Sequence, residues 1–271
     1  MPFFNPSPSL SLFYTLHGPS TNPPILLIHG WCCDSHDWSW QIPFLTQTHY
    51  VIATDMRGHG RSSAPAHLSY TLQDQAADAA ALLRHLELEK DVLVMGHSMG
   101  AMAASVLSVL EPELVKGIVL IDPPYHYPSK TCDETMAWYA ASPSATTNAL
   151  QSYPSMIGAI TPEWMKLWYL RRLEGTPEHV IRKSIEGCFG EEMLGRAELH
   201  EEFVKGKRKA PRLAVYKEEE RAERERAFGV DVGRGDEVVV IGDGAGHWPH
   251  QTRSEEFNGL LGRWLTKIGT E

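Results

Sequence analysis

The chain has 271 residues, and its 25 lysines and arginines face 34 aspartates and glutamates, which gives a formal net charge of −9. At roughly 150 residues per domain this length predicts one large domain or two small ones. With 42% apolar and 22% charged residues the composition is that of a globular protein and excludes disorder. The acidic balance also excludes a nucleic-acid partner, which needs a clustered positive field.

Nothing in the sequence predicts a membrane span or a disulfide framework. Apolar runs such as residues 25–28 are far shorter than the about 20 residues that a spanning helix needs. The first 18 residues have no basic region and contain early prolines, so a cleaved signal peptide is not expected. Cys32, Cys33, Cys132 and Cys188 lack zinc-ribbon spacing and are expected to be reduced thiols. We therefore expect a cytoplasmic protein without a membrane partner, whose oligomeric state the sequence leaves open.

Strand-like and helix-like segments alternate along the chain. Continuous or alternating apolar runs predict strands, and apolar residues at helical spacing predict helices. The predicted strands are 10–16, 25–28, 50–54, 91–95, 115–121, 213–216 and 237–241, and the predicted helices are 72–86, 101–110 and 254–268, the last with Ser254 as its N-cap. This alternation predicts an α/β fold with a mostly parallel, doubly wound sheet.

Residues 126–209 differ from the rest of the chain. They contain no run typical of a buried strand, but have aromatic residues at helix-like spacing. A segment of about 80 residues is too long for a loop. We therefore predict a core domain made of residues 1–125 and 210–271, with a helical cap at 126–209 inserted before the penultimate strand.

Two charged segments are predicted to lie on the surface. Residues 217–226 (KEEERAERER) are typical of a solvated helix with i,i+4 ion pairs. Residues 205–209 (KGKRK) favour a surface loop over a nuclear-localisation patch.

A nucleophile is indicated at residues 96–100 (GHSMG), which fit the pattern G-x-S-x-G between a predicted strand and a predicted helix. The glycines are needed because Ser98 would lie on a tight, strained turn that tolerates no bulk beside it. The helix N-terminus then points free N–H groups at a developing oxyanion. The alternative is a structural turn with an inert serine.

Other motifs follow three of the other predicted strands. They are HGW at 29–31, DMRGHGRSS at 55–63 and GAGHW at 244–248. With GHSMG and the insertion, they make the chain resemble the α/β-hydrolase superfamily over nearly all of its length. The resemblance implies that the backbone N–H groups of Trp31 and Met99 form the oxyanion hole, and that Asp55, Arg57 and His59 brace a loop without chemistry.

The general base is predicted to be His247. It lies in a glycine loop at 242–247 (GDGAGH) that follows a predicted strand and can bring an imidazole over Ser98. His250 is the alternative, interpreted as a surface histidine on a turn. The two histidines are too isolated for a metal site, so no metal is expected.

The sequence leaves open which residue is the acid that orients His247. In most members of the superfamily that the chain resembles, an Asp follows the strand after the insertion, but here that strand runs into KEEE at 217–220. Spacing favours Glu220 there. Asp122, at the end of the strand before the insertion, lies where ligand chemistry collects in open α/β sheets. An Asp before two prolines also suits a turn. We favour Asp122, keep Glu220 as the alternative, and leave open that neither serves.

The sequence therefore predicts a serine hydrolase that cleaves a small or medium hydrophobic carboxylic ester or lactone through an acyl-enzyme on Ser98. The alternatives are hydrolysis of a C–C bond in a diketone-like substrate and a slow-turnover ligand sensor. The resemblance disfavours the dehalogenase and epoxide-hydrolase branches, which need an Asp nucleophile. No cofactor is expected, because no phosphate-binding glycine pattern occurs in a βαβ context. Candidate substrate-binding residues are Trp31, Cys32, Trp138, Trp164 and Trp168.

Overall fold

One eight-stranded sheet forms the centre of the protein in a computed structural model that describes residues 2–269. The strands are β1 (Phe3–Ser7), β2 (Leu10–His17), β3 (Pro24–Ile28), β4 (Tyr50–Thr54), β5 (Val92–His97), β6 (Val115–Ile121), β7 (Arg212–Tyr216) and β8 (Glu237–Val240). Their order across the sheet is β1-β2-β4-β3-β5-β6-β7-β8. Strand β2 is antiparallel to both of its neighbours, and all other neighbours are parallel. Met1, Thr270 and Glu271, at the ends of the predicted core domain, lie outside the described residues.

Helices connect the strands and cover both faces of the sheet. They are α1 (Ile42–Leu45), α2 (Leu72–His85), α3 (Met99–Leu110), α4 (Ser129–Ala141), α5 (Ala145–Ser152), α6 (Glu163–Gly175), α7 (Glu178–Phe189), α8 (Ala197–Val204), α9 (Glu219–Ala227), α10 (Pro249–Thr252) and α11 (Ser254–Gly269). Helices α4 to α8 all lie between β6 and β7. That segment is therefore a helical insertion, while its division from the core as a separate domain stays a prediction. None of the described helices has the length and apolar character needed to cross a bilayer.

The central strands are buried on both faces, which explains their continuous apolar runs. In β3, Leu26 and Ile28 pack in a cluster with residues of α2 and α3, whereas Ile25 and Leu27 pack in a second cluster with residues of α11. Successive side chains of a strand point to opposite faces, so both helix layers are anchored by the same few residues. The predicted doubly wound α/β sheet is confirmed.

The parallel strands bring their carboxyl ends to one edge of the sheet. Ser98 follows β5, Asp122 follows β6 and Lys217 follows β7. In open α/β sheets this edge is where ligands bind. The topology thus brings together three polar residues that are far apart in the chain.

The predicted strands are all present, with ends that differ by one or two residues. The sequence did not predict β1, because Pro6 and Asn5 interrupt its pattern. It pairs only with β2 and so forms an edge of the sheet, where a proline is tolerated. Ser254, predicted to cap the last helix, is instead the first residue of α11.

The two charged segments are less exposed than predicted. Glu225 of α9 and Arg208 of the basic run are both buried. Arg208 Nη2 donates to Glu225 Oε1 at 2.8 Å, and Arg212 Nε lies 2.6 Å from the same oxygen. The hydroxyl groups of Tyr125 and Tyr216 donate to Glu225 Oε2 at 2.6 and 2.9 Å. The two segments are a mostly exposed helix and a loop, as predicted, but Glu225 and Arg208 are buried and not solvated.

Burial by itself raises the pKa of Glu225, but Arg208 and Arg212 outweigh it and lower the pKa to about 2. Because the folded pKa lies below the ordinary value, the carboxylate stabilises the fold at neutral pH. This contribution is lost as the pH falls from the ordinary Glu range through about 2.

Glu225→Gln should strongly destabilise the protein, because it leaves two buried guanidinium groups without their shared carboxylate. The expected loss in the free energy of unfolding is about 3–5 kcal/mol, measured by urea denaturation. Glu223→Gln on the exposed face of the same helix is the control and should change it by less than about 0.5 kcal/mol. Equal stability of the two variants would contradict a buried ion cluster.

Candidate active site

Ser98 lies on a strained turn between β5 and α3. Its φ of 53° and ψ of −117° are a conformation that L-residues rarely adopt. The turn is also tight. A Cβ added to Gly96 would overlap the backbone of Gly100, and one added to Gly100 would overlap the carbonyl oxygen of Ile28. Both glycines are therefore required for the chain to turn here, as the motif predicts.

His247 reaches Ser98 from the loop after β8. Gly244 and Gly246 in this loop have φ values of 79° and 71°. His247 Nε2 lies 2.8 Å from Ser98 Oγ, within hydrogen-bond distance. The backbone N–H of His247 donates to the carbonyl of Met156 at 2.9 Å. The helical insertion thus holds the loop that carries the imidazole.

Asp122 completes the hydrogen-bonded line. It is fully buried, and its Oδ2 lies 2.5 Å from His247 Nδ1. Its backbone N–H donates to the carbonyl of Val215 at 2.8 Å, which fixes the residue at the edge between β6 and β7. Since a carboxylate only accepts, Nδ1 of His247 carries the proton and Nε2 is free to accept the Ser98 hydroxyl proton. A hydroxyl, an imidazole and a carboxylate follow each other in this order in a Ser-His-Asp triad, and the catalytic role of the three residues here stays a prediction.

Glu220 is not part of this arrangement. It lies in the first turn of α9 with its side chain exposed and pairs with Arg224 at 2.8 Å. Of the two carboxylates that the sequence left open, the fold brings only Asp122 to His247.

The surroundings shift the pKa of both ionisable partners. Burial lowers the pKa of His247 to about 4, although the hydrogen bond and charge of Asp122 act to raise it. Burial acts to raise the pKa of Asp122, but His247, Arg221 and Lys217 outweigh it and the pKa is lowered. At neutral pH Asp122 is therefore ionised, and His247 is neutral and able to accept a proton.

Met99 and Trp31, whose N–H groups are predicted to form the oxyanion hole, both lie near Ser98. Met99 is the first residue of α3, so its N–H has no acceptor within the helix. Trp31 follows Gly30, whose added Cβ would lie 3.2 Å from the Ser98 Cβ. Within residues 2–269 the backbone N–H of Trp31 has no acceptor either. Their role as oxyanion donors stays a prediction.

A cavity of about 420 Å³ opens above Ser98 and His247. Its wall is mostly apolar and includes Met99 and Met102 from α3 and Ile185 and Phe189 from α7. The cavity therefore lies between the sheet edge and the helical insertion.

The predicted wall residues divide into two groups. Trp31 and Trp138 line the cavity. Cys32, Trp164 and Trp168 do not, contrary to the prediction. Cys32 borders a smaller neighbouring cavity, Trp164 is 58% exposed, and Trp168 packs beneath the guanidinium of Arg172 at 4.0 Å. Helix-like spacing predicted the helix but not which of its faces meets the cavity.

His250 is fully buried, so its interpretation as a surface histidine is wrong. It belongs to a cluster with Asp37 and His97 behind the imidazole of His247. Within residues 2–269 these three form the one group whose donor atoms, all within 4.8 Å of each other, match a metal site. However, Asp37 Oδ1 already pairs with Arg172 Nη1 at 2.5 Å, and this fixed positive charge opposes a second cation.

The cluster of Asp37, His97 and His250 supports the loop that carries His247. His97 Nε2 donates to the backbone carbonyl of His247 at 2.8 Å, so it holds the loop from behind. Arg172 belongs to α6, so its bond to Asp37 ties the helical insertion to the core. Sequence reasoning missed Asp37 and its partners. The segment HDW at 36–38, which four residues separate from the HGW segment, is the signal that could have drawn attention to Asp37.

Two basic residues at the cavity were also missed. Lys217 and Arg221 line it, and Arg221 Nη1 lies 3.6 Å from Asp122 Oδ1. Arg221 Nη2 also donates to the hydroxyl of Tyr127 at 2.7 Å. Their position just after β7, at the same sheet edge as Asp122, could have identified them. The charged run around them led instead to the prediction of a solvated helix.

Comparison with known proteins agrees with this fold. A family model described as the alpha/beta hydrolase fold matches residues 23–154. A non-heme haloperoxidase from Rhodococcus erythropolis is 46% identical over 101 residues, or 37% of this chain and 35% of that protein. The chain spans about a third of the length of the first curated relatives that it matches.

Solved structures match over almost the whole chain. A hydrolase from Pseudomonas aeruginosa PA01 has a TM-score of 0.81 at 22% identity and covers 97% of both chains. The enol-lactonase from Burkholderia xenovorans LB400 has a TM-score of 0.80 at 19% identity and covers 98% of this chain and 100% of that chain. The chain is therefore an α/β-hydrolase-fold protein, as its motifs predict.

The effect of the Asp122 carboxylate on the pKa of His247 can be measured by NMR titration of the imidazole. The wild-type pKa should be about 4. Asp122→Asn should lower it further, because the carboxylate raises it by hydrogen bonding and charge. Glu220→Gln is the matched control and should leave it unchanged. An unchanged or raised pKa in Asp122→Asn would show that Asp122 does not act on the imidazole.

Proposed function

We propose that this protein is a serine hydrolase that cleaves a small or medium carboxylic ester or lactone with a largely hydrophobic body. The observation that carries the proposal is the line of hydrogen bonds from Asp122 through His247 to Ser98, which ends at a mostly apolar cavity. A nucleophile, a base and an acid that orients the base are the parts that acyl transfer requires.

In the first half of the reaction, Ser98 Oγ attacks the ester carbonyl carbon and His247 Nε2 takes the hydroxyl proton. The negative oxygen of the tetrahedral intermediate accepts hydrogen bonds from the N–H groups of Trp31 and Met99. Asp122 stabilises the imidazolium. The intermediate then collapses, the C–O bond to the alcohol breaks, and His247 returns the proton to the leaving oxygen.

In the second half, water attacks the acyl group on Ser98. His247 takes a proton from the water as its oxygen bonds to the carbonyl carbon. Collapse of the second intermediate breaks the bond to Ser98 Oγ, which recovers its proton from His247. The products are the carboxylic acid and the free enzyme. In a lactone, acid and alcohol leave as one hydroxy acid.

Three features support this substrate class. A cavity of about 420 Å³ fits a small or medium molecule, and its methionine and aromatic wall favours an apolar one. The nucleophile is Ser98, whereas the dehalogenase and epoxide-hydrolase branches of the superfamily need an Asp. A protein of the same fold bears the name enol-lactonase. We further propose that residues 126–209 act as a cap over the cavity.

We also propose a cytoplasmic location. Cys32, Cys33, Cys132 and Cys188 are all unpaired and buried. Free thiols in this number are typical of a reducing compartment.

Ser98→Ala and His247→Ala should each lower kcat by roughly 10³-fold or more, because the members of a triad act as a unit. The measurement is hydrolysis of a short-chain 4-nitrophenyl ester at neutral pH. Asp122→Asn should cost far more activity than Glu220→Gln.

Activity that survives in Ser98→Ala would overturn the proposal, since the ester would then be cleaved elsewhere on the protein. If the wild type is inert toward short esters and lactones alike, the C–C hydrolase and ligand-sensor alternatives take precedence.

A further inference from the structure

The cavity walls carry a charge that hydrolysis of a neutral ester does not require. We propose that the natural substrate bears a carboxylate on its apolar body and that Lys217 binds this carboxylate. The inference rests on the proposed function and narrows its substrate class to a monoanionic ester or lactone.

The charge of the cavity is opposite to that of the chain. The chain has a net charge of −9, yet no Asp or Glu is among the described residues that line the cavity. Lys217 and Arg221 both line it, and the other lining residues apart from His247 carry no ionisable base. A positive site in an acidic protein selects anions locally, because the nearest charges dominate the field in a low-dielectric cleft.

The two cations differ in how they are paired. Arg221 Nε pairs with Glu218 at 2.7 Å, and its Nη1 lies 3.6 Å from Asp122. Its charge is therefore already balanced. Within residues 2–269, the ammonium group of half-buried Lys217 has neither an ion pair nor a hydrogen bond. A cation that lines an apolar cavity without a counter-ion is available to a bound carboxylate, which would supply its missing partner.

Lys217 is close to the reacting groups. It follows β7 at the same sheet edge as Ser98 and Asp122, and its carbonyl oxygen lies beside Gly242 at the start of the loop that carries His247. Its charge also acts on both His247 and Asp122, whose pKa values it lowers. One small substrate can therefore contact Lys217 and Ser98 at the same time.

A second wall residue offers a further contact. The hydroxyl of Ser184 in α7 is buried and has no hydrogen-bond partner within the described part of the chain. A buried hydroxyl is normally paired, so a polar group of a ligand is expected to meet it. The ester or carboxylate oxygens of the proposed substrate can accept this hydrogen bond.

The test compares two substrates that differ only in charge: mono-4-nitrophenyl adipate, which is an anion, and its neutral methyl ester. Both release 4-nitrophenol from the same acyl linkage. The quantity measured is the ratio of kcat/KM for the anion to that for the neutral ester. Effects of a substitution on the shared chemistry cancel in this ratio.

The wild type should favour the anion by about 10-fold or more, which is the effect of one charge-assisted hydrogen bond. Lys217→Met should abolish that preference, and Lys217→Glu should reverse it. Lys217→Arg should retain most of it, which shows that the charge and not the shape of lysine is needed. Lys205→Met removes one positive charge from an exposed position outside the cavity and should leave the ratio at the wild-type value.

A ratio near one in the wild type, or a preference that Lys217→Met retains, overturns the inference while hydrolysis of both esters leaves the proposed function intact. A fall in the ratio that is equal in Lys205→Met and Lys217→Met also overturns it, because net charge would then be the cause. If neither ester is cleaved, the proposed function fails first. Inhibition of Ser98 labelling by free adipate, lost in Lys217→Met, would then still support the anion site, and equal inhibition in both proteins would overturn it.

Discussion

The imidazole of His247 must lie at one position between a carboxylate and a hydroxyl, and much of the fold contributes to holding it there. Asp122 and Ser98 contact its two nitrogens, while Met156 and His97 hydrogen-bond to its backbone N–H and carbonyl. These contacts come from two strand ends and the helical insertion. A glycine loop is flexible on its own, so the position of the base depends on tertiary hydrogen bonds rather than on local conformation.

The location of the acid has a consequence for the rest of the site. We propose Asp122, at the end of β6, as the acid, so that no acid is needed at the end of β7. That position is occupied by Lys217, and one turn further on by Arg221, which lies against the free oxygen of Asp122. The sheet edge therefore combines a buried carboxylate with two cations. The carboxylate hydrogen-bonds to the imidazole, and the two cations line the cavity.

Local patterns in the sequence were enough to predict the parts of the fold that neighbouring residues specify. The strand-turn-helix around Ser98 and the apolar runs of the sheet predicted the fold, because each is specified by neighbouring residues. Residues whose burial or role depends on partners far away in the chain were harder to predict from the sequence. Glu225 lies in a charged helix and is buried against Arg208 and Arg212, which approach it from other segments. His250 is likewise buried by tertiary packing.

The choice between the two candidate acids shows the same limit. Spacing along the chain favoured Glu220, and the topology of the sheet favoured Asp122. The deciding quantity is the distance to His247, which spacing does not determine, since the loop after β8 reaches back across the sheet edge. Similarly, Trp138, Trp164 and Trp168 all lie on helices of the insertion, but only the first faces the cavity.

The central claim is that Ser98 is a nucleophile activated by His247 and Asp122. Labelling with a fluorophosphonate probe, followed by intact-mass and peptide analysis, tests it without knowledge of the substrate. The account predicts one adduct per chain, on Ser98, that forms at the wild-type rate in Glu220→Gln, much more slowly in Asp122→Asn, and not at all in His247→Ala. No adduct, an adduct on a different serine, or equal rates in Asp122→Asn and the wild type would contradict it.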